Sequence, residues 1–231
     1  MAKGKNYKPL IYLAIVLFLF YGSSIFILIP IALFRIDVNN CSDLVFNSLR
    51  LFYYAVTALI LFFIYRKDII KDFKNFKKNF GNFTDTAFKY WIVGFIIMIV
   101  SNILIGFFSP VNKANNEESV RAIIYSTPVI AFFLTSVCAP FIEEIVFRKA
   151  FKDAISSKWL FILTSGIVFG ALHVIGAIES PYDFLYIIPY SALGIAFANI
   201  YHETNNIFST IFMHAFHNAL VLTLVLTGVG G

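Results

Sequence analysis

Charge is what this 231-residue chain has least of: Asp, Glu, Lys and Arg make up 13% of it, against roughly a quarter in a soluble globular domain. That scarcity excludes an ordinary soluble fold. Cysteine is also scarce, with Cys41 in a short polar stretch and Cys138 inside an apolar run, so neither a disulfide framework nor CxxC metal spacing is present. Both thiols read as incidental or buried. Internal repeats, low-complexity tracts and long polar stretches are missing, which leaves room for neither a separate soluble domain nor a long linker. A cleavable signal peptide is excluded as well: Lys3, Lys5 and Lys8 precede an apolar run from Pro9 to Phe34, but the run is too long and no small-x-small site follows it.

What remains is apolar. Hydrophobic residues make up 59% of the chain, 28 of them Phe, and the mean hydropathy is +0.81. Seven segments approach the 20 or so residues that cross a bilayer, at 9–34, 45–65, 87–108, 123–147, 159–178, 184–201 and 207–228. The expected fold is therefore an all-α polytopic bundle, a single integral-membrane domain over 1–231. Its motif-bearing half covers about 120–228, and the N-terminal spans with a basic interfacial helix cover 1–119. With the N-terminus in the cytoplasm, 14 of the 18 Lys and Arg residues fall on the inner side, and only Arg35, Arg50, Lys113 and Arg121 fall outside. The positive-inside rule then predicts a multi-pass plasma-membrane protein with a cytoplasmic N-terminus and an extracytoplasmic C-terminus.

Several stretches carry local expectations. Residues 66–83 interleave basic and aromatic residues, and the apolar positions 69, 70, 73, 76 and 80 recur at helical spacing. That pattern fits an amphipathic helix lying on an anionic leaflet rather than a nucleic-acid surface. The polar, Pro-containing stretch 109–119 reads as an extracytoplasmic loop. Pro128 fits a first helical turn, Pro189 predicts a kink in the sixth span, and Gly166 with Gly170 forms a small-xxx-small pair that lets a neighbouring helix approach closely.

The costly residues lie in the last four spans. Glu143, Glu144 and Arg148 interrupt the fourth, where each ionisable group costs roughly 2.5–3.5 kcal/mol at a helix centre. Glu144 and Arg148 are i and i+4 and can neutralise each other, whereas Glu143 is turned about 100° away and is left unpaired. The cluster reads either as an ion-pair network that fixes helix packing or as a pair supporting a carboxylate that exchanges protons. His173, one turn after Phe169 in the fifth span, and His214 with Asn218 on one face of the seventh have bland readings as packing and interhelical hydrogen bonds; His217 is offset from that face. Depth joins these residues. With turns near Ser157 and Thr204, Glu143 and His173 lie about 14 and 16 residues from the first turn, and His214 and Asn218 about 15 and 21 Å from the second, so all four can share one layer. The expected layer opens toward the cytoplasmic side. Two imidazoles, a free carboxylate and a carboxamide together suit water activation and oxyanion stabilisation. There is no Ser-x-Gly nucleophile setting, no paired intramembrane aspartate and no HExxH, although a Glu/His/His set also matches zinc's ligand preferences.

Glu143-Glu144-x-x-x-Arg148, Phe169-x-x-x-His173 and His214-x-x-x-Asn218, in this order and each in its own span, resemble the three signature motifs of the CPBP family. This is the CAAX-prenyl-protease and bacteriocin-processing (Abi, Rce1-type) family of intramembrane proteases. The resemblance covers about residues 125–220; the first three spans share only hydrophobicity with it. It implies a helical bundle whose polar cavity is formed by the last four spans, and an intramembrane endopeptidase acting on a hydrophobic or lipid-anchored peptide. By the same resemblance, Glu143 with His173 would activate water, His214 and Asn218 would hold the oxyanion, and Glu144, Arg148 and Phe169 would support the site. The family is described both as metalloproteases, for which Glu143, His173 and His214 would be the ligands, and as glutamate proteases needing no cofactor. The second fits better here, because Asn is a poor zinc ligand and a good hydrogen-bond donor. The alternatives are a non-catalytic regulator or bacteriocin self-immunity protein of the same fold, and a small transporter, against which the missing inverted repeat counts. Abundant Ile, Phe, Asn and Lys fit an AT-rich genome and a low-GC bacterium, which points to leader, bacteriocin-like or signalling peptides as substrates.

Overall fold

A computed structural model describes residues 7–109 and 114–228. Among these residues the chain is helical, and seven helices are long and apolar enough to cross a membrane. They are α1 (Lys8–Phe34), α2 (Asp43–Lys78), α3 (Phe80–Phe108), α5 (Pro128–Ala154), α6 (Lys158–Ile175), α7 (Pro181–Thr204) and α8 (Ile207–Leu226), with a short helix α4 (Asn115–Ser126) before α5. The protein is a multi-pass helical bundle, as its hydropathy predicts. Lys3, Lys5 and Lys113, which entered the charge count, lie outside the described residues.

Helix ends follow local chemistry. Ser42 caps α2 through its hydroxyl on the Val45 N–H, while Asp43 starts the helix and Lys77 and Lys78 end it, complementing the dipole at both ends. Ser180 and Asp183 form a capping box at the 3₁₀ turn Pro181–Tyr186 that opens α7. Asn206 caps α8 on the Phe208 N–H, and Asp72 Oδ2 accepts the Ile207 N–H at 3.0 Å, so a buried carboxylate of α2 fixes where α8 begins.

Four expectations are corrected. The segment 66–83 is no separate surface helix: α2 runs unbroken to Lys78, about 54 Å, and α3 begins at Phe80. No Gly or Pro interrupts that stretch of α2, and its inner stripe of Tyr65, Ile69, Asp72 and Phe76 is buried, with Phe76 packed on Phe208 and Phe212 of α8. The stretch 109–119 is not a loop throughout, because α4 starts at Asn115 with Glu117 and Glu118 in its first turn and an Arg121–Glu117 ion pair of 2.8 Å; 110–113 lie outside the described residues. The fourth span is not 123–147: α4 ends at Ser126, Thr127 breaks the helix, and Pro128 opens α5 in its first turn. Pro189 does not kink a span, since it lies in the first turn of the α-helical part Ile187–Thr204, where its missing N–H costs no bond.

The expected close approach is present. A Cβ on Gly166 would lie 2.7 Å from the Ile195 backbone N, and one on Gly170 would lie 2.5 Å from that of Ser191. In return, a Cβ on Gly194 of α7 would lie 2.6 Å from the Gly166 carbonyl oxygen. Only glycine lets α6 and α7 pack backbone to backbone. The turns expected near 157 and 204 fall between α5 and α6 and between α7 and α8. Those turns share one end of the bundle, tied by Lys152 Nζ on Asn205 Oδ1 (2.9 Å) and Lys158 on Glu203 (2.9 Å). Asn47 to Thr127 (3.0 Å) and Asn115 to the Ala177 carbonyl (2.8 Å) tie the opposite end.

Candidate active site

The helix that carries the two glutamates is irregular. In α5 the α-helical turns Ala139–Glu144 lie between two π-helical stretches, Phe133–Cys138 and Ile145–Ala150. Pro140 has no N–H to give to the preceding turn, and a wider turn upstream accommodates that loss. Widened turns re-aim side chains, and here Thr135, Ala139 and Glu143 all line one cavity.

Glu144 and Arg148 are fully buried and bonded, Nε to Oε2 at 3.0 Å, as their spacing predicts. The pair is anchored further. Arg148 donates to Ser165 Oγ of α6 at 2.8 Å, that hydroxyl donates to the Phe147 carbonyl, and the guanidinium lies 4.8 Å from the Phe169 ring centroid. The second oxygen of Glu144, Oε1, accepts Nδ1–H of His214 at 2.9 Å, so the pair that neutralises itself also orients an imidazole of α8. Phe169 fits between the partners, its ring 4.3 Å from that of His173 and 5.8 Å from that of His214.

Glu143 differs. Its Oε2 is buried without a hydrogen-bond partner, 3.9 Å from His173 Nε2 and 3.8 Å from His214 Nε2. Both gaps exceed a hydrogen bond. Each imidazole is held from its far side, His214 by Glu144 and His173 by donating Nδ1–H to the Phe169 carbonyl at 2.8 Å. Because a carbonyl only accepts, His173 in its neutral form keeps its lone pair on Nε2, the atom that faces Glu143. His173 also stacks on Tyr190 at 5.0 Å, and His214 on Phe197 at 4.8 Å.

The structure thus brings Glu143, His173 and His214 into one layer. Asn218 lines the same cavity with its amide donating to the Thr135 carbonyl at 2.7 Å, which uses one of its two N–H bonds. Ser165, Tyr190, Phe197 and Thr135 complete this arrangement, and their sequence context is that of ordinary packing residues. The cavity measures about 630 Å³. Glu143, His173, His214 and Asn218 come from the last four spans, but the polar lining does not stop there as expected: α2 adds Arg50, Tyr53 and Tyr54, α3 adds Asn102, and α4 adds Asn116, Glu117 and Arg121.

The cavity does not open toward the 157 and 204 turns. On that side Glu143 is backed by Val146, Phe147, Ala150 and Phe151, all buried, whereas the cavity runs to Arg50, Asn116, Glu117 and Arg121 at the other end. Depth arithmetic gives a shared level but carries no information about which side of that level is packed.

Residues 125–220, less than half of the chain, match the family model described as type II CAAX prenyl endopeptidase Rce1-like, so this motif-bearing segment is similar to that family. Among curated proteins it is similar to a Bacillus subtilis protein named "Putative membrane peptidase YdiL", 29% identical over 146 residues that cover 60% of this chain and 56% of that one. Two Lactococcus lactis proteins also match: UPF0177 protein YvdC, 25% identical over 58% of this chain and 52% of its own, and UPF0177 protein YbdI, 26% identical over 74% and 93%. The chain spans about half the length of the first of these relatives. No solved structure matches it.

Proposed function

We propose that the protein is an intramembrane endopeptidase that hydrolyses a peptide bond in a hydrophobic or lipid-anchored peptide, using Glu143 and His173 to activate water. The observation that carries this reading is Glu143 Oε2, a buried carboxylate oxygen without a hydrogen bond that faces two imidazole nitrogens beside a cavity large enough for a peptide segment. An unpaired buried carboxylate is costly, and a packing network would have satisfied it.

The roles follow from the hydrogen bonds. Water held at Glu143 and His173 attacks the carbonyl carbon and gives up its proton to that pair; the carbonyl π electrons move onto oxygen. The imidazolium form of His214, held at Nδ1 by Glu144, offers Nε2–H to the oxyanion. The second N–H of Asn218 completes the hole. Collapse expels the amine, which takes the proton from the Glu143–His173 pair as the C–N bond breaks. Glu144, Arg148, Ser165 and Phe169 hold the imidazoles in place.

A zinc ion would require Glu143, His173 and His214 as ligands. Asn218, the fourth polar group of the layer, is a poor zinc ligand and a good hydrogen-bond donor, so this reading routes no step through a metal and expects the activity to survive a chelator. We place the protein in the plasma membrane with its basic end cytoplasmic, so the cavity opens on the extracytoplasmic side, and leader, bacteriocin-like or signalling peptides remain the expected substrates. Comparing the membrane peptidomes of wild-type, Glu143→Gln and His173→Ala strains tests the reading. Uncleaved precursors should accumulate in both variants, with the protein still inserted and with chelator treatment leaving the wild type unchanged. Identical peptidomes would refute the assigned roles.

A further inference from the structure

The tautomer of His217 points to a further catalytic group. Trp91 of α3 donates its indole N–H to His217 Nδ1 at 3.3 Å, in a buried contact that joins two helices 126 residues apart in sequence. An indole N–H is only a donor, so Nδ1 must be the acceptor, and the ring proton of the neutral imidazole must sit on Nε2. This is the reverse of His173, whose Nδ1–H is taken by a carbonyl and whose Nε2 therefore accepts. The His217 ring meets Trp91 and Phe95 edge to face, with centroids at 6.3 and 5.8 Å, so two aromatic rings of α3 contact it.

His217 Nε2 makes no hydrogen bond to any described residue and is not occluded, and the residue lines the same cavity as Glu143, His173 and Asn218. It follows His214 by three residues and precedes Asn218 by one, so it presents its ring to the cavity within the same turn of α8. We infer that His217 is a catalytic residue whose Nε2–H donates to the developing oxyanion beside Asn218, with Trp91 as the positioning residue that fixes its tautomer. This donor exists without any protonation, whereas His214 can donate from Nε2 only as an imidazolium. Water remains the sole co-reactant, and His217 neither gains nor loses a proton: its hydrogen bond shortens as charge builds on oxygen. The inference rests on the peptidase reading.

The test uses the full-length protein in proteoliposomes, with a hydrophobic peptide flanked by fluorophore and quencher, selected because the wild type cleaves it and Glu143→Gln does not. His217→Leu is expected to lower kcat about 100-fold, the usual cost of one oxyanion donor, with KM unchanged. His217→Gln, which returns an N–H near the Nε2 position, should recover at least tenfold of that loss. Nitrogen-15 NMR of labelled histidine should show His217 protonated on Nε2 and bare on Nδ1 in the wild type. Trp91→Phe should convert it to a mixture of tautomers and lower kcat severalfold. If His217→Leu does not fold, the Trp91→Phe protein and the wild-type spectrum decide. Wild-type kcat in His217→Leu, or a proton on Nδ1 in the wild type, would overturn this inference while leaving Glu143-dependent cleavage intact. Failure to find any Glu143-dependent cleavage would overturn the peptidase reading and the inference with it.

Discussion

Two neighbouring stretches of α5 carry similar side chains put to different uses. At the basic end, Lys149 pairs with Asp153 at 2.7 Å and Asp68 at 3.0 Å, Lys152 reaches the Tyr201 carbonyl and Asn205, and Asp72 caps α8. Every one of these groups has a partner, and together they join α2, α5, α7 and α8 where the bundle meets water. Within two turns of Lys149, Glu144 and Arg148 are satisfied in the same manner, but the adjacent Glu143 is not. Charge alone does not set Glu143 apart. What sets it apart is a buried carboxylate oxygen without a hydrogen bond, on a residue that lines the cavity.

Breaking the supports should separate the site from the basic cluster. Glu144→Ala should have the largest effect on stability. It strands a fully buried guanidinium and frees His214, so a loss of about 3–5 kcal/mol is expected in detergent unfolding, together with loss of cleavage. Gly170→Leu comes next, because the added side chain meets the backbone at Ser191; about 1–3 kcal/mol should be lost as α6 and α7 part, with cleavage falling as His173 shifts. Lys149→Ala should cost no more than about 1 kcal/mol, because its partners are well exposed, and turnover should not change. Chemical denaturation of each variant beside its cleavage rate reads all three. A Lys149→Ala loss as large as that of Glu144→Ala would erase the distinction between the two stretches.

The sequence shows more of the site than of its surroundings. Motif spacing places Glu144 against Arg148, and counting from the turns puts Glu143, His173 and His214 at one level, because helical rise is nearly invariant. What is not legible depends on long-range packing. The π-helical turns around Pro140, the continuation of α2 past the bilayer and the helix at Asn115 are decided by what each segment packs against. Those neighbours are more than a hundred residues away for Phe76 and α8, or for Trp91 and His217. The direction in which the cavity opens escaped for the same reason: Val146, Phe147, Ala150 and Phe151 read as span residues whether they face lipid or seal the site.

The central claim is that Glu143 performs chemistry and Glu144 performs support. The most direct test is the single-turnover cleavage rate of Glu143→Gln in proteoliposomes, measured beside its unfolding midpoint. A fall of about 1,000-fold in rate at an unchanged midpoint is the expected result for loss of a general base. A variant that cleaves at the wild-type rate, or one that loses activity only because it unfolds, would contradict it.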